Sequence, residues 1–229
     1  MKTIFLSALL LLQTGLLWAQ NEAALIKAVK AKLDKVANYQ ASGNMSIDAA
    51  FIKAPASAIT AYYKKPNRFA IKKQDGLNIL PKGGVSINLS SLLGGENVTA
   101  VSAGTTVLNG APVRIIKLLP LDDKSDVVLS TLYINEKAQL VQKAQVTTRD
   151  NGSYEMDMKY GKYAAWGLPD KVVFTFNTKE YKLPKGIAME YDKGNSGKPQ
   201  KPVDRKGTVT INYTGYSINK GVDDKVFGK

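Results

Sequence analysis

Most of this chain alternates apolar and polar residues, and this alternation constrains the fold more than any other feature. Residues 154–160 read YEMDMKY, which places tyrosine and methionine side chains on one face and charged side chains on the other. Residues 208–213, TVTINY, repeat the pattern with valine, isoleucine and tyrosine on one face. Successive side chains of a strand point to opposite faces. Such segments therefore predict an antiparallel sheet with one buried and one solvated face.

One segment near the start has the period of a helix instead. Residues 21–38 place Leu25, Val29 and Leu33 at helical spacing, and Asn21 is a suitable N-cap. No proline or glycine interrupts this segment, and the period changes to two after Gly43. The sequence therefore predicts one amphipathic helix before the sheet.

Further strands are predicted where short alternating runs lie between turn residues. The first run is expected to end near Pro55, and the others cover residues 56–65, 68–74, 98–107, 113–119, 127–134, 140–148 and 172–177. These patterns indicate a mainly β domain with helices over residues 20–229. They leave open a sandwich, a closed barrel, or a curved open sheet that wraps a helix.

Two segments depart from the alternation. Ser86–Glu96 places Leu89, Leu92 and Leu93 at helical spacing before a glycine pair, which predicts a short apolar helix. Leu183–Gly207 is rich in glycine, proline and lysine, which predicts a long basic loop. This loop is either a partner site or a solvated insertion without a role.

The first 19 residues have an early lysine, a short apolar run and a final alanine. They predict a secretory signal peptide cleaved near Ala19, because Gln13, Thr14 and Gly15 interrupt a run too short for a membrane anchor. No cysteine follows the cleavage point. We therefore expect a soluble exported protein that is not itself lipidated, in a bacterial periplasm.

The composition restricts the chemistry available. The 229 residues include no histidine and no cysteine, which excludes disulfides, Cys/His zinc sites, thiol nucleophiles and a histidine base. The motifs GxSxG and GxxxxGK[ST] are absent. Asp122–Asp123 and Asp223–Asp224 are adjacent pairs, and adjacent strand residues point to opposite faces. We therefore predict a protein that is not an enzyme and that holds no metal or cofactor.

The charge balance indicates the class of partner. The formal net charge is +13, from 32 basic and 19 acidic residues, which favours anionic partners. Export separates the protein from nucleic acid, so anionic lipid, glycan or acidic protein are expected instead of DNA. The alternative is that the lysines only keep the protein soluble.

Three segments resemble the LolA family of periplasmic carriers of outer-membrane lipoproteins. LDKVANYQASG (residues 33–43) is similar to the end of that family's first helix, and YYKKPNRFAI (62–71) is similar to its basic hairpin with a turn proline. YSINKGVDDKVF (216–227) is similar to its C-terminal end. The first third of the chain carries the resemblance best. It implies an unclosed antiparallel β-barrel that wraps an N-terminal helix and a short lid helix.

The resemblance also implies a function. These carriers hold the acyl chains of a lipoprotein in an apolar cavity, receive it from an inner-membrane ABC transporter and pass it to an outer-membrane receptor. A monomeric carrier between the two membranes is therefore expected. The alternative is a binding module on the same fold that senses lipids or lipoproteins and regulates a partner. The cargo, and whether the chain is the main carrier or a paralogue, stay open.

Finally, the resemblance suggests which side chains meet the ligand. The candidates for the lid and cavity wall are Leu33, Phe69, Ile71, Leu89, Leu92, Leu93, Met156, Met158, Phe174 and Phe176. Each has an alternative interpretation as ordinary core. Lys65 stands where the family often has an arginine that hydrogen-bonds the lid. A lysine offers a point charge instead of a planar fork, so Lys65 is the candidate for a weaker lid latch.

Overall fold

The computed structural model describes residues 22–49, 52–66, 68–73, 92–93, 97–122, 125–149, 152–177 and 206–227. Within these ranges helix α1 spans residues 22–34. The strands are β1 (Asn38–Ala49), β2 (Ile52–Lys64), β3 (Arg68–Lys73), β4 (Val98–Leu108), β5 (Ala111–Pro120), β6 (Val127–Asn135), β7 (Leu140–Thr148), β8 (Ser153–Lys159), β9 (Lys171–Asn177) and β10 (Lys206–Ile218). Short 3₁₀ helices cover Ala164–Trp166 and Asp224–Phe227.

The described strands form a single antiparallel sheet. Its order is β3-β2-β1-β10-β9-β8-β7-β6-β5-β4, so strands from the two ends of the chain meet beside each other at β1 and β10. The edges are β3 and β4, which do not pair with each other. An unclosed antiparallel sheet with an N-terminal helix confirms the expected fold class and excludes the closed barrel.

One face of the sheet is buried, as the alternation predicts. In β8, Tyr154, Met156 and Met158 are all at most 5% exposed, whereas the side chains between them are only partly covered. Leu25 and Val29 of α1 are buried in the same apolar cluster as these β8 residues. The predicted apolar stripe of the helix therefore faces the predicted apolar face of the sheet.

Side-chain contacts at the two ends of α1 show how the helix crosses the sheet. At its N-terminal end, Glu22 accepts a hydrogen bond of 2.9 Å from Arg114, which also donates to Glu136 at 2.7 Å. At its C-terminal end, the carbonyl of Asp34 accepts a hydrogen bond of 2.7 Å from Lys65. The contacting residues of the sheet lie beside the β4–β5, β6–β7 and β2–β3 turns, which share one end of the sheet. Helix α1 therefore runs across the strands near that end.

The structure corrects three boundaries. The helix was predicted over residues 21–38, but it ends at residue 34 and β1 already begins at Asn38. Pro55 was expected to end a strand, but β2 continues through it, because the pairing with β1 jumps from Ser57 to Ala54 and leaves Pro55 in a β-bulge. Proline is tolerated at a bulge, where no ladder N–H is required. Lys206 and Gly207 were assigned to the basic loop, yet they begin β10 opposite β9. The rest of the predicted loop, the predicted signal peptide and Leu89 lie outside the described residues.

None of the helices among the described residues is both long and apolar enough to cross a membrane.

Candidate functional site

The sheet face beneath α1 carries one continuous group of buried apolar side chains, which we call the α1 cluster. Its buried members are Leu25, Ile26, Val29, Leu33, Ala49, Leu92, Leu93, Ile116, Leu118, Leu132, Ile134, Val141, Ala144, Val146, Tyr154, Met156, Met158, Val172, Phe174 and Phe176. Aliphatic, methionine and phenylalanine side chains dominate it. Such side chains make few directional contacts, so their packing adapts more easily than a hydrogen-bonded network does.

Two of the three predicted lid leucines lie in this cluster. Leu92 is fully buried and Leu93 is 3% exposed, and Leu92 has helical backbone geometry. Both leucines therefore pack in the same apolar cluster as α1.

Most of the predicted wall residues also belong to this cluster. The five that do are Leu33, Met156, Met158, Phe174 and Phe176. Phe174 lies at the centre of a row of rings, with centroids 5.0 Å from Tyr154 and 5.5 Å from Phe176. The structure thus gathers lid and wall candidates that are far apart in the sequence.

Phe69 and Ile71 lie elsewhere, in a second group that we call the tyrosine cluster. Its buried members are Val36, Tyr39, Ala41, Met45, Ile59, Ala61, Tyr63, Ile71, Leu168 and Ile211, with Phe69, Tyr163, Trp166, Val209, Tyr213, Tyr216 and Ile218 packed against them. It occupies the buried face of β1, β2, β3 and β10. The predicted wall is therefore divided between two regions.

Tyr216 contacts three other rings of the tyrosine cluster. Its ring centroid lies 5.3 Å from that of Tyr39, 4.8 Å from Tyr163 and 5.1 Å from Tyr213. Its hydroxyl donates a 2.7 Å hydrogen bond to the carbonyl of Pro169, and its backbone N–H donates to the hydroxyl of Tyr163 at 3.2 Å. Burial raises the pKa of Tyr216, so the hydroxyl stays protonated and able to donate.

Lys65 binds the C-terminal end of α1. Its ammonium donates to the carbonyl of Asp34 and lies 3.3 Å from the carboxylate of the same residue. A cation at this end of a helix satisfies an orphan carbonyl and complements the helix dipole. The contact fixes the helix next to Leu33. Its predicted role as a lid latch stays a prediction, because residues 74–91 and 94–96 lie outside the described ranges.

Comparison with known proteins identifies the architecture. No protein-family model and no curated protein matches the sequence. Among solved structures, a predicted outer membrane lipoprotein-sorting protein domain from Vibrio parahaemolyticus matches with a TM-score of 0.60 and 9% identity, covering 92% of this chain and 97% of that one. A LolA superfamily protein from Nitrosomonas europaea matches with a TM-score of 0.52 and 10% identity, covering 89% and 97%. The chain has the LolA-like fold.

A third structure agrees with this assignment. A DUF1329 family protein from Desulfovibrio piger matches with a TM-score of 0.55 and 10% identity, covering 90% of this chain and 96% of that one. Identities this low show the fold alone.

Sequence reasoning missed the contact that closes one edge of the LolA-like sheet. Asp224, in the C-terminal 3₁₀ helix, accepts hydrogen bonds from Lys64 at 2.5 Å and Arg68 at 2.6 Å. The Arg68 guanidinium also lies 5.0 Å from the ring centroid of Phe227. The hydrogen bond from Lys64 is the main cause of the lowered pKa of Asp224. An acidic end and a basic hairpin were visible in the sequence, but nothing local indicated that they meet.

The buried carboxylate of Glu22 was missed as well. Burial disfavours its ionised form, but the hydrogen bonds from Arg114, the backbone N–H and Ser102, with the charge of Arg114, together outweigh burial, so the pKa of Glu22 is lowered. This ion pair attaches the first residue of α1 to β5. The cover of the α1 cluster is therefore held partly by charge, whereas neutral hydrogen bonds hold the tyrosine cluster.

An open groove of about 470 Å³ lies at the ends of β7, β8 and β9. Gln145, Glu155 and Lys206 line it, and the alternation places them on the face opposite Met156. Val146, Tyr154 and Phe176 of the α1 cluster line the groove as well, so it borders that cluster at this end of the sheet.

Proposed function

We propose that this protein is a carrier that holds the acyl chains of a lipoprotein, or of another lipidic ligand, between the sheet and α1. The observation that carries the proposal is the α1 cluster, in which the lid leucines, α1 and the wall candidates surround one apolar volume. The LolA-like fold, shared with a predicted lipoprotein-sorting domain, supports the same function.

The physical reason is the cost of exposing acyl chains to water. Each CH₂ group that moves from water to an apolar site contributes about 0.8 kcal/mol, so a long chain requires a large apolar shelter. The α1 cluster offers such a surface, but its own side chains fill it when no ligand is bound. A ligand must displace them, and leucine, methionine and phenylalanine side chains can repack around it.

The same filling explains release. When the ligand leaves, Leu92 and Leu93 can return to the cluster, so closure competes with the ligand for one apolar surface. This competition lowers the net affinity for the ligand, because only the small fraction of protein whose cluster is open can bind it. In this proposal, Phe69 and Ile71 belong to the tyrosine cluster, which supports the acyl site from the side. Lys65 holds α1 and the lid in the closed state.

The compartment and partners follow from the same proposal. A cleaved signal peptide would deliver the carrier to the periplasm as a monomer, where an inner-membrane ABC transporter would load it. An outer-membrane receptor would then take the lipoprotein. The chain would act without a cofactor and without catalysis, since its role is to bind and release.

Native mass spectrometry of protein purified from its own periplasm tests the proposal. We expect an added mass corresponding to an acylated protein or lipid. Met156→Gln, which places an amide in the α1 cluster, should lose this mass, whereas Ser153→Gln on the solvated face of the same strand should keep it. Circular dichroism of both variants checks the fold. Protein without lipid from the wild type, or equal loads in both variants, would contradict the proposal. A stable protein partner without lipid would indicate a sensing module.

A further inference from the structure

Among the residues that the structure describes, the edge strand β4 has no covering element on its outer side. Its sequence, VTAVSAGTTVL, contains no charged residue and no proline over 11 residues. Val101 is 46% exposed and Val107 is 67% exposed, and among the described strands β4 pairs with β5 alone. A long uncharged edge presents unpaired backbone N–H and C=O groups to any extended chain. Natural sheets usually protect such edges with charge, proline or a covering element.

The opposite edge has that protection. Strand β3 has six residues, RFAIKK, of which three are basic. The 3₁₀ helix Asp224–Phe227 contacts it through the ion pair of Arg68 with Asp224 and the ring of Phe227. Within the part of the chain that the structure describes, β4 is therefore the uncovered edge of the sheet.

Strand β4 also borders the proposed acyl site. Val98 and Ala100 pack against the α1 cluster. Leu93 of the lid precedes Val98 by only five positions in the sequence. A chain that pairs with β4 would therefore lie beside both the lid and the apolar volume beneath it.

We propose that β4 docks the extended polypeptide that follows the acylated end of a lipoprotein cargo, which pairs with β4 as an additional strand. The inference rests on the proposed function and specifies how that function recognises protein. Backbone hydrogen bonds to a strand edge require no particular side chains. Because β4 carries no charge, it also does not discriminate between cargo polypeptides of different charge. Both properties suit a carrier that must accept many polypeptides with one type of lipid anchor.

The geometry of β4 favours a peptide over a second copy of the chain. The pairing with β5 shifts between Ser102 and Thr105, and Gly104 has a φ of 90°. This irregularity divides the edge into two short stretches, of which Thr105–Leu108 pairs regularly with β5. A flexible peptide can pair with one stretch, whereas two rigid copies would have to match the irregularity. Each copy also carries a net charge of +13, which disfavours association.

Lipopeptides with tails of different length test the inference. One probe is an acylated cysteine alone, and the other carries a neutral tail of about six residues, the length of a typical strand. We expect the longer probe to bind about tenfold tighter or better, because each added backbone hydrogen bond contributes favourably. Hydrogen exchange followed by mass spectrometry should show slower exchange in β4 with the longer probe alone.

A pair of adjacent variants supplies the matched control. Thr106→Pro and Val107→Pro each remove one N–H, and alternate residues of an edge strand direct their N–H groups outward. One variant therefore loses a bond to β5 and becomes less stable. The other keeps its stability and should lose the affinity gain of the longer tail.

Each result decides the question. Equal affinity for both probes with unchanged exchange in β4 would refute the inference and leave the proposed function standing. If neither probe binds, the proposed function fails and the inference with it. Slower exchange in β4 that depends on protein concentration, without any probe, would show pairing between copies and would also refute the inference.

Discussion

The two apolar clusters of this sheet are built differently. The tyrosine cluster packs its rings against one another and ties Tyr216 down by hydrogen bonds, from its hydroxyl to the carbonyl of Pro169 and from its backbone N–H to the hydroxyl of Tyr163. The α1 cluster consists mainly of aliphatic, methionine and phenylalanine side chains, including Leu92 and Leu93. Its directional contacts are fewer, such as the 2.7 Å hydrogen bond from the hydroxyl of Tyr160 to the carbonyl of Val141. Directional bonds fix a packing arrangement, whereas apolar contacts alone permit several. On the proposed function, the tyrosine cluster would serve as a rigid frame and the α1 cluster would repack around a ligand.

Removing the Tyr216 ring should have the largest effect on this frame. We expect Tyr216→Ala to lower the free energy of unfolding by about 4 kcal/mol, because three ring contacts and a hydrogen bond are lost. Tyr216→Phe keeps the ring and should cost about 1 kcal/mol. Chemical denaturation measures both. Losses of equal size would show that the ring contributes little and would weaken the description of a rigid frame.

A methyl group at Gly43 should cost almost as much. A Cβ atom there would lie 2.4 Å from the backbone carbonyl oxygen of Asn212 on the neighbouring strand. That oxygen cannot move without disturbing the β1–β10 pairing, so Gly43→Ala should lower the free energy of unfolding by about 3 kcal/mol. If Gly43→Ala lowered the free energy of unfolding by less than Gly207→Ala does, the tyrosine cluster would not be the more rigid of the two regions.

The charge that anchors α1 should show itself in the pH dependence of stability. Glu22→Gln should cost about 2 kcal/mol at neutral pH, because Arg114 loses an ionised partner. The folded state lowers the pKa of Glu22, so the carboxylate stabilises the fold above its ordinary pKa of about 4.3. This contribution is lost as the pH falls through the lowered value. Denaturation at several pH values should therefore show the difference between variant and wild type shrinking in acid. A constant difference would contradict the assignment.

Gly207→Ala should have the smallest effect, although the space there is equally limited. A Cβ atom would meet the tip of the Phe176 ring at 2.5 Å. A ring tip in an adaptable cluster can shift, so a cost of about 1 kcal/mol is expected. Binding of an acylated probe should change more than stability does. An unchanged affinity, measured by titration, would count against Phe176 as a wall residue.

The alternation of residues predicted the sheet well because it reflects a local rule. Strand β7 was predicted with its observed bounds, Leu140–Thr148, and the buried face of β8 was confirmed. The bulge at Pro55 was missed because it depends on the partner strand. Among the site candidates, those in β8 and β9 came together with the lid leucines, but Phe69 and Ile71 did not. Their strand, β3, lies at one edge of the sheet. The alternation of residues predicts which face a side chain takes, but not the order of the strands.

Long-range ion pairs could not be predicted either. Arg68 and Asp224 are 156 positions apart, and their meeting depends on β10 pairing with β1 in the middle of the sheet. The resemblance in the first third of the chain supplied the fold, which residue patterns alone left open. It did not indicate that Lys65 would contact the end of α1.

The most direct test of the account asks where an acyl chain lies. Trp166, in the tyrosine cluster, is the one tryptophan beyond the predicted signal peptide. A second protein, with Trp166→Phe and Phe174→Trp, moves the fluorophore into the α1 cluster. A brominated acyl chain quenches tryptophan on contact. The account predicts strong quenching in the second protein and weak quenching in the wild type. Equal quenching, the reverse order, or no quenching in either protein would contradict it.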